Sequence, residues 1–165
     1  MAAAPARRDT EGLVRLAASV PLRADADELA TALASGSLDW LGEEVGGAAA
    51  GLRRFAVDLR LRVGGVSAGL TTFGKAAFLD IGIPARTTEG WQTEVGWRAS
   101  SAAPLFPVFW GRLTIGPDEL AVDGYYAPPG GAVGRVADRM LLHVAANGTA
   151  RWLLRELDAG MRAAG

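Results

Sequence analysis

The sequence has no cysteine and a single histidine, His143, in 165 residues. Those two shortages exclude disulfides, thiolate metal centres, zinc sites of the usual His and Cys type, and cysteine nucleophiles. Lysine is nearly absent as well, Lys75 being the one example among 17 basic residues. With the abundance of Ala, Gly and Arg, this reads as codon bias in a GC-rich coding sequence and carries no functional meaning. The net charge is only -1. A nucleic-acid partner is therefore not expected, because phosphate binding needs a clustered excess of Lys and Arg. No apolar run approaches the length of a membrane span, so no membrane partner is expected either. The opening "MAAAPARRDTEG" has two arginines but no apolar core behind them, unlike a signal peptide. The expectation is a cytoplasmic protein with a flexible tail over 1–11 and a single domain over 12–165.

Catalytic signatures are missing too. "PPGGAVG" stands between a strand pattern and a helix pattern, as a phosphate-cradling loop would. It lacks G-x-G-x-x-G, lacks the Lys-Ser/Thr pair, and sits in no βαβ unit. No G-x-S-x-G elbow occurs. "NGT" matches a glycosylation sequon, without meaning for a cytoplasmic chain. No cofactor is expected.

What is present is 50% hydrophobic residues in ordered patterns, enough for a real core. "GLVRLAASV" up to Pro21 reads as a first strand. In "RADADELATALASG", Asp25 or Asp27 caps a short helix with Leu29, Ala32 and Leu33 on one face and Gly36 at its end. "SLDWLGEE" allows a further helical turn, and "VGGAAAG" reads as a loop. Strict alternation then marks half-buried antiparallel strands. "RRFAVDLRLRV" turns Phe55, Val57, Leu59, Leu61 and Val63 one way and Arg54, Asp58, Arg60 and Arg62 the other. "KAAFLDIGI" turns Ala77, Leu79, Ile81 and Ile83 inward. "GWQTEVGWRA" aligns Trp91, Thr93, Val95 and Trp97. "PVFWGRLTIGP" sets Phe109, Gly111, Leu113 and Ile115 against Trp110, Arg112 and Thr114. "ELAVDGYY" aligns Leu120, Val122, Gly124 and Tyr126 against Asp123 and Tyr125. The total is about six strands, five of them consecutive, each with one apolar face.

A sheet with one apolar face needs a cover, and only the C-terminal segment is long enough. Pro128 and Pro129 end the last strand, Gly130 and Gly131 permit redirection, and a helix period starts at Ala132. Val133, Val136, Ala137, Met140, Leu141, Val144 and Ala145 form its first apolar stripe. Past Gly148 the stripe shifts to Ala150, Leu153, Leu154, Leu157 and Met161, with Arg151, Arg155 and Asp158 in the sector that was apolar before. The reading favours a kink or break at Gly148; a straight, widely buried helix is the alternative.

This order of elements is similar to that of the SRPBCC or START-like superfamily, which includes Bet v 1-like proteins and polyketide cyclases/aromatases. The segments that carry the likeness are "VPLRADADELATALAS" with "LDWL", and "DGYYAPPGGAVGRVADRMLLHVAANGTARWLLREL". The resemblance implies an α+β helix-grip fold: a curved antiparallel sheet around a long C-terminal helix, with one or two short helices after the first strand. It also implies an apolar cavity between sheet and helix that takes a small hydrophobic molecule. Neither segment is a catalytic signature, and polar inward positions of the kind a cyclase pocket uses are scarce.

The side chains expected to face such a ligand are Leu79, Trp91, Thr93, Trp97, Phe109, Tyr126, Met140, His143, Val144 and Trp152. Thr93, Tyr126, His143 and Asn147 are the polar candidates for orienting it. His143 and Tyr126 are also the candidate proton carriers of a cyclase/aromatase-like enzyme. Against this, inward aromatics fill any sheet–helix interface, and a lone helix histidine is ordinary. A third reading is a partner-docking or self-associating protein that uses Trp110 and Tyr125 on the polar face.

Overall fold

The computed structural model describes residues 12–65, 68–100, 108–127 and 136–165. The side chains of 60–75, 136–142 and 145 lie outside that description. It is an α+β fold: a large antiparallel sheet, one short helix and one long C-terminal helix.

The strands are β1 (Val14–Pro21), β2 (Glu43–Val45), β3 (Leu52–Gly65), β4 (Ala68–Gly82), β5 (Ala85–Thr87), β6 (Gly90–Ala99), β7 (Val108–Ile115) and β8 (Glu119–Ala127). They form one 8-stranded sheet in the order β1-β8-β7-β6-β4-β3-β2, with β5 paired to β6 off that path. Every pairing is antiparallel. The alternation in the sequence located the long strands, but "about six" falls short. The two extra strands, β2 and β5, have 3 residues each, too short to show a period of two. β2 also occupies part of the stretch read as a helical turn and loop. There, Leu38 O accepts from the N–H groups of Leu41 and Gly42, which closes a turn and not a helix. One short helix, not two, follows β1 among the described residues.

That helix, α1 (Ala26–Ser35), starts as expected: the Asp25 carboxylate accepts from the N–H groups of Asp27 and Glu28, both at 2.9 Å. Leu29, Ala30 and Leu33 face the core. Its last carbonyls are satisfied from outside the helix. The Arg53 guanidinium on β3 donates to Ala32 O, Leu33 O and Gly36 O at 2.8–3.1 Å, placing a cation at the negative end of the helix.

Among the described side chains, the inner face of the sheet is mostly apolar. Leu16, Phe55, Leu59, Leu79, Ile81, Phe109, Leu113, Ile115 and Leu120 are fully buried. Ile83 is the exception to the expected pattern, 62% exposed. β4 ends at Gly82, so Ile83 no longer belongs to the pleat that turned its neighbours inward. Leu61, Val63, Arg60 and Arg62 lie outside the described side chains.

α2 (Val136–Ala164) covers this face. Its 29 residues form one unbroken helix through Asn147, Gly148 and Thr149, so of the expected kink or break at Gly148 the break does not occur. Among the described side chains of α2, Ala146, Ala150, Leu153, Leu154 and Leu157 are buried. Asp158 is buried with them, and it is not a surface charge. Its carboxylate accepts from the backbone N–H groups of Arg23 at 2.7 Å and Ala24 at 2.9 Å, and from Arg162 Nε at 3.2 Å. This ties the helix to the segment that leads from β1 into α1. The handover from Pro128 to Gly131, the helix start at Ala132, Val133 and the tail 1–11 lie outside the described residues.

Candidate ligand-binding site

Cross-strand register sets Leu79, Trp97, Phe109 and Tyr126 side by side across β4, β6, β7 and β8 on the inner face. The Trp97 and Phe109 rings stack with centroids 4.0 Å apart and planes 18° from parallel. The tip of Phe109 reaches over a facing glycine pair, Gly111 and Gly124. A Cβ on Gly111 would come 2.6 Å from Phe109 Cζ, and one on Gly124 2.9 Å. The register runs through these glycines without a bulge. Space left by the small residues at this point is therefore filled by Phe109.

Beyond Phe109 the row continues to Tyr126, whose ring centroid lies 6.4 Å from that of His143 on α2. His143 and Asn147 are one helical turn apart and present the same side. Trp97, Phe109 and Tyr126 thus form a row across the sheet that reaches His143 on the helix. Two polar side-chain atoms, Trp97 Nε1 on the sheet and Asn147 Oδ1 on the helix, are buried without a hydrogen-bond partner among the described residues. Burial pushes the Tyr126 hydroxyl above its ordinary value, so the phenol keeps its proton and remains a donor.

The exposure of His143 shows where sheet and helix part. At 100° per residue, His143 falls within the arc of about 80° occupied by Ala146, Leu157, Ala150 and Leu154. Those four are fully buried, whereas His143 is exposed. The same side of the helix that meets the sheet after residue 146 is open at His143.

The other expected residues divide. Leu79 lies in the core beside Trp97. Trp91 sits six residues from Trp97 along β6, roughly 20 Å away, where its Nε1 donates to Asp27 at 2.7 Å and Arg86 stacks over its ring. Arg86 also pairs with Asp27 at 2.6 Å; Trp91 and Arg86 together hold that carboxyl below its usual range. Trp91 therefore locks α1 to β6 and has no free polar group. Thr93 is buried against the backbone of Gly82, with its hydroxyl on Glu94 O. Val144 is 54% exposed, about 100° around the helix from His143, so the first apolar stripe does not hold there. Trp152 packs against the core from the opposite side of the helix, about 180° from His143. Nothing is described of the Met140 side chain.

On the outer face, Trp110 and Tyr125 are cross-strand partners, 65% and 41% exposed. Trp110 lies over Gly96, where an added Cβ would approach its indole to 3.3 Å.

No group of three or more potential metal ligands occurs among the described residues. Nor is any helix among them long and apolar enough to cross a membrane. No family model matches the chain, and no curated protein is similar to it.

Proposed function

We propose that this is a helix-grip protein of the SRPBCC or START-like kind that binds a small apolar or aromatic molecule between the sheet and the first half of α2. The observation that carries this reading is the pair of partnerless buried atoms, the Trp97 N–H donor and the Asn147 carbonyl acceptor. An unmet buried polar group costs about 1–3 kcal/mol. A ligand with one acceptor and one donor would remove both costs, while the stacked aromatics hold its apolar body. Burial of about 200 Å² of that body would contribute about 5 kcal/mol.

Two features support the placement. His143 is exposed on the side of the helix that elsewhere meets the sheet, which leaves an entrance. The backbone of α2 approaches both β3 and β1, which stand five strand spacings apart in the sheet order. A sheet that curls around the helix brings both within reach.

A catalytic variant of the same reading is favoured by the Tyr126–His143 pair. A protonated phenol beside an accessible imidazole can donate to a ligand carbonyl while the imidazole accepts a proton from carbon or oxygen. The test separates the two. Tyr126→Phe and His143→Ala are assayed for binding of aromatic ketones and phenols by thermal shift, and for turnover of the same compounds. Retained binding with no turnover by the wild type leaves a binding protein. Turnover that disappears in both variants identifies an enzyme. No stabilisation by any apolar compound overturns the proposal.

A further inference from the structure

A second site, distinct from the sheet–helix opening, lies between β1 and the C-terminal half of α2. Arg151, Arg155, Asp158 and Arg162 follow one another at helical spacing and fall within about 60° around the axis. Arg23, fixed by the bond from its backbone N–H to Asp158, brings a fourth guanidinium to the same place. With Ser19 and Pro21 of β1 as the opposite wall, they line a cleft of about 390 Å³.

Its charge is unbalanced. Asp158 is the one carboxylate in the lining, and it is already engaged by two backbone N–H groups and by Arg162. The side chains of Arg23, Arg151 and Arg155 make no ion pair or hydrogen bond among the described residues. Four arginines elsewhere are used differently. Arg15, Arg53, Arg54 and Arg86 each pair with a carboxylate at 2.6–2.7 Å. Like charges at i and i+4, such as Arg151 and Arg155, repel and weaken a helix. In a chain of net charge -1, gathering unpaired guanidiniums in one concavity is the opposite of the usual dispersal.

We infer that the cleft of Arg23, Arg151, Arg155 and Arg162 binds a multiply charged small anion, a phosphate ester or polycarboxylate. The planar guanidinium fork matches the oxygens of either group in bidentate fashion. Asp158 keeps Arg162 and the β1–α1 segment in position without itself facing the anion as a free charge. The site is independent of the ligand proposed for the sheet–helix opening.

The experiment is isothermal titration with pyrophosphate and with citrate at low ionic strength. The expected result is one saturable site per chain whose affinity falls as salt rises. Arg151→Ala/Arg155→Ala should weaken binding at least tenfold while leaving the melting temperature unchanged or higher. The control Arg98→Ala/Arg112→Ala removes the same charge from the outer face of the sheet and should bind as the wild type does. Vesicles of phosphatidylcholine with a phosphoinositide provide the second arm. Retention on them, competed by pyrophosphate, assigns a lipid headgroup; pyrophosphate binding without retention assigns a soluble anion. Absence of binding in both arms, or equal loss in the two double variants, overturns the site.

Discussion

Phe109 lies beneath Trp97, ring centroids 4.0 Å apart, with its tip above the Gly111–Gly124 pair. The arrangement depends on both glycines lacking a side chain. A Cβ on Gly124 would stand 2.2 Å from Trp110 O, 2.5 Å from Gly111 Cα and 2.9 Å from Phe109 Cζ. Two of these neighbours are backbone and cannot yield. Gly124→Ala should therefore destabilise the fold by about 2 kcal/mol or more, and change the near-ultraviolet circular dichroism of the stacked pair. Urea unfolding measures the first effect, and an unchanged midpoint would refute the packing described.

Asn147 should show stability and function pulling apart. Its buried carbonyl has no partner, and leucine is a better helix former than asparagine. Asn147→Leu is expected to stabilise the unliganded chain by about 1–2 kcal/mol. It should also lose the thermal shift given by any apolar or aromatic compound that stabilises the wild type. Chemical denaturation with and without compound tests both halves of this prediction.

The acid limb of stability should report Asp158. Burial pushes its carboxyl up, but the N–H groups of Arg23 and Ala24 and the Arg162 guanidinium more than offset that, leaving it below its usual value. A carboxyl lowered in the folded state contributes stability above the unfolded value, about 4, and loses it as pH falls through the folded value. Asp158→Asn should cost about 1.5–3 kcal/mol at neutral pH and flatten the pH dependence below about 4. A variant as stable as the wild type at pH 7, and equally acid-sensitive, would contradict the latch.

Arg53 and its partner Glu44 should not be equivalent. Arg53 serves three carbonyls at the end of α1 and is 15% exposed, whereas Glu44 is 50% exposed. Arg53→Met should lower stability by about 2–3 kcal/mol through the orphaned carbonyls. Glu44→Gln should lower it by less than about 1 kcal/mol. Equal effects would mean that the ion pair, and not the helix cap, dominates.

The long strands were legible because burial of one face imposes a period of two over eight or more residues, as in β6 and β7. β2 and β5 were not, since three residues fit either period. Trp97, Phe109 and Tyr126 share one face of the sheet, as their alternation indicates, and Tyr126 lies near His143. Trp91 and Thr93 share that direction on β6, yet sit at the other end of the strand, because facing direction says nothing about position along it. Val144 falls outside the buried stripe expected of it, and Asp158 inside the buried set, for one reason. Helical angle gives the side of α2, but where the sheet begins and ends beneath it depends on contacts distant in sequence. The Arg53 cap and the Asp158 tie likewise join residues 17 or more positions apart and leave no local pattern.

The central claim is that Trp97 and Asn147 take a bound small molecule as their missing partner. Native mass spectrometry of the protein purified from a high-GC bacterial host tests it most directly, set against the denatured mass and against Asn147→Leu prepared in the same way. The account predicts an additional mass of a few hundred daltons on the wild type that denaturation releases and the variant lacks. A clean unliganded mass for the wild type, together with no apolar or aromatic compound that raises its melting temperature, would contradict it.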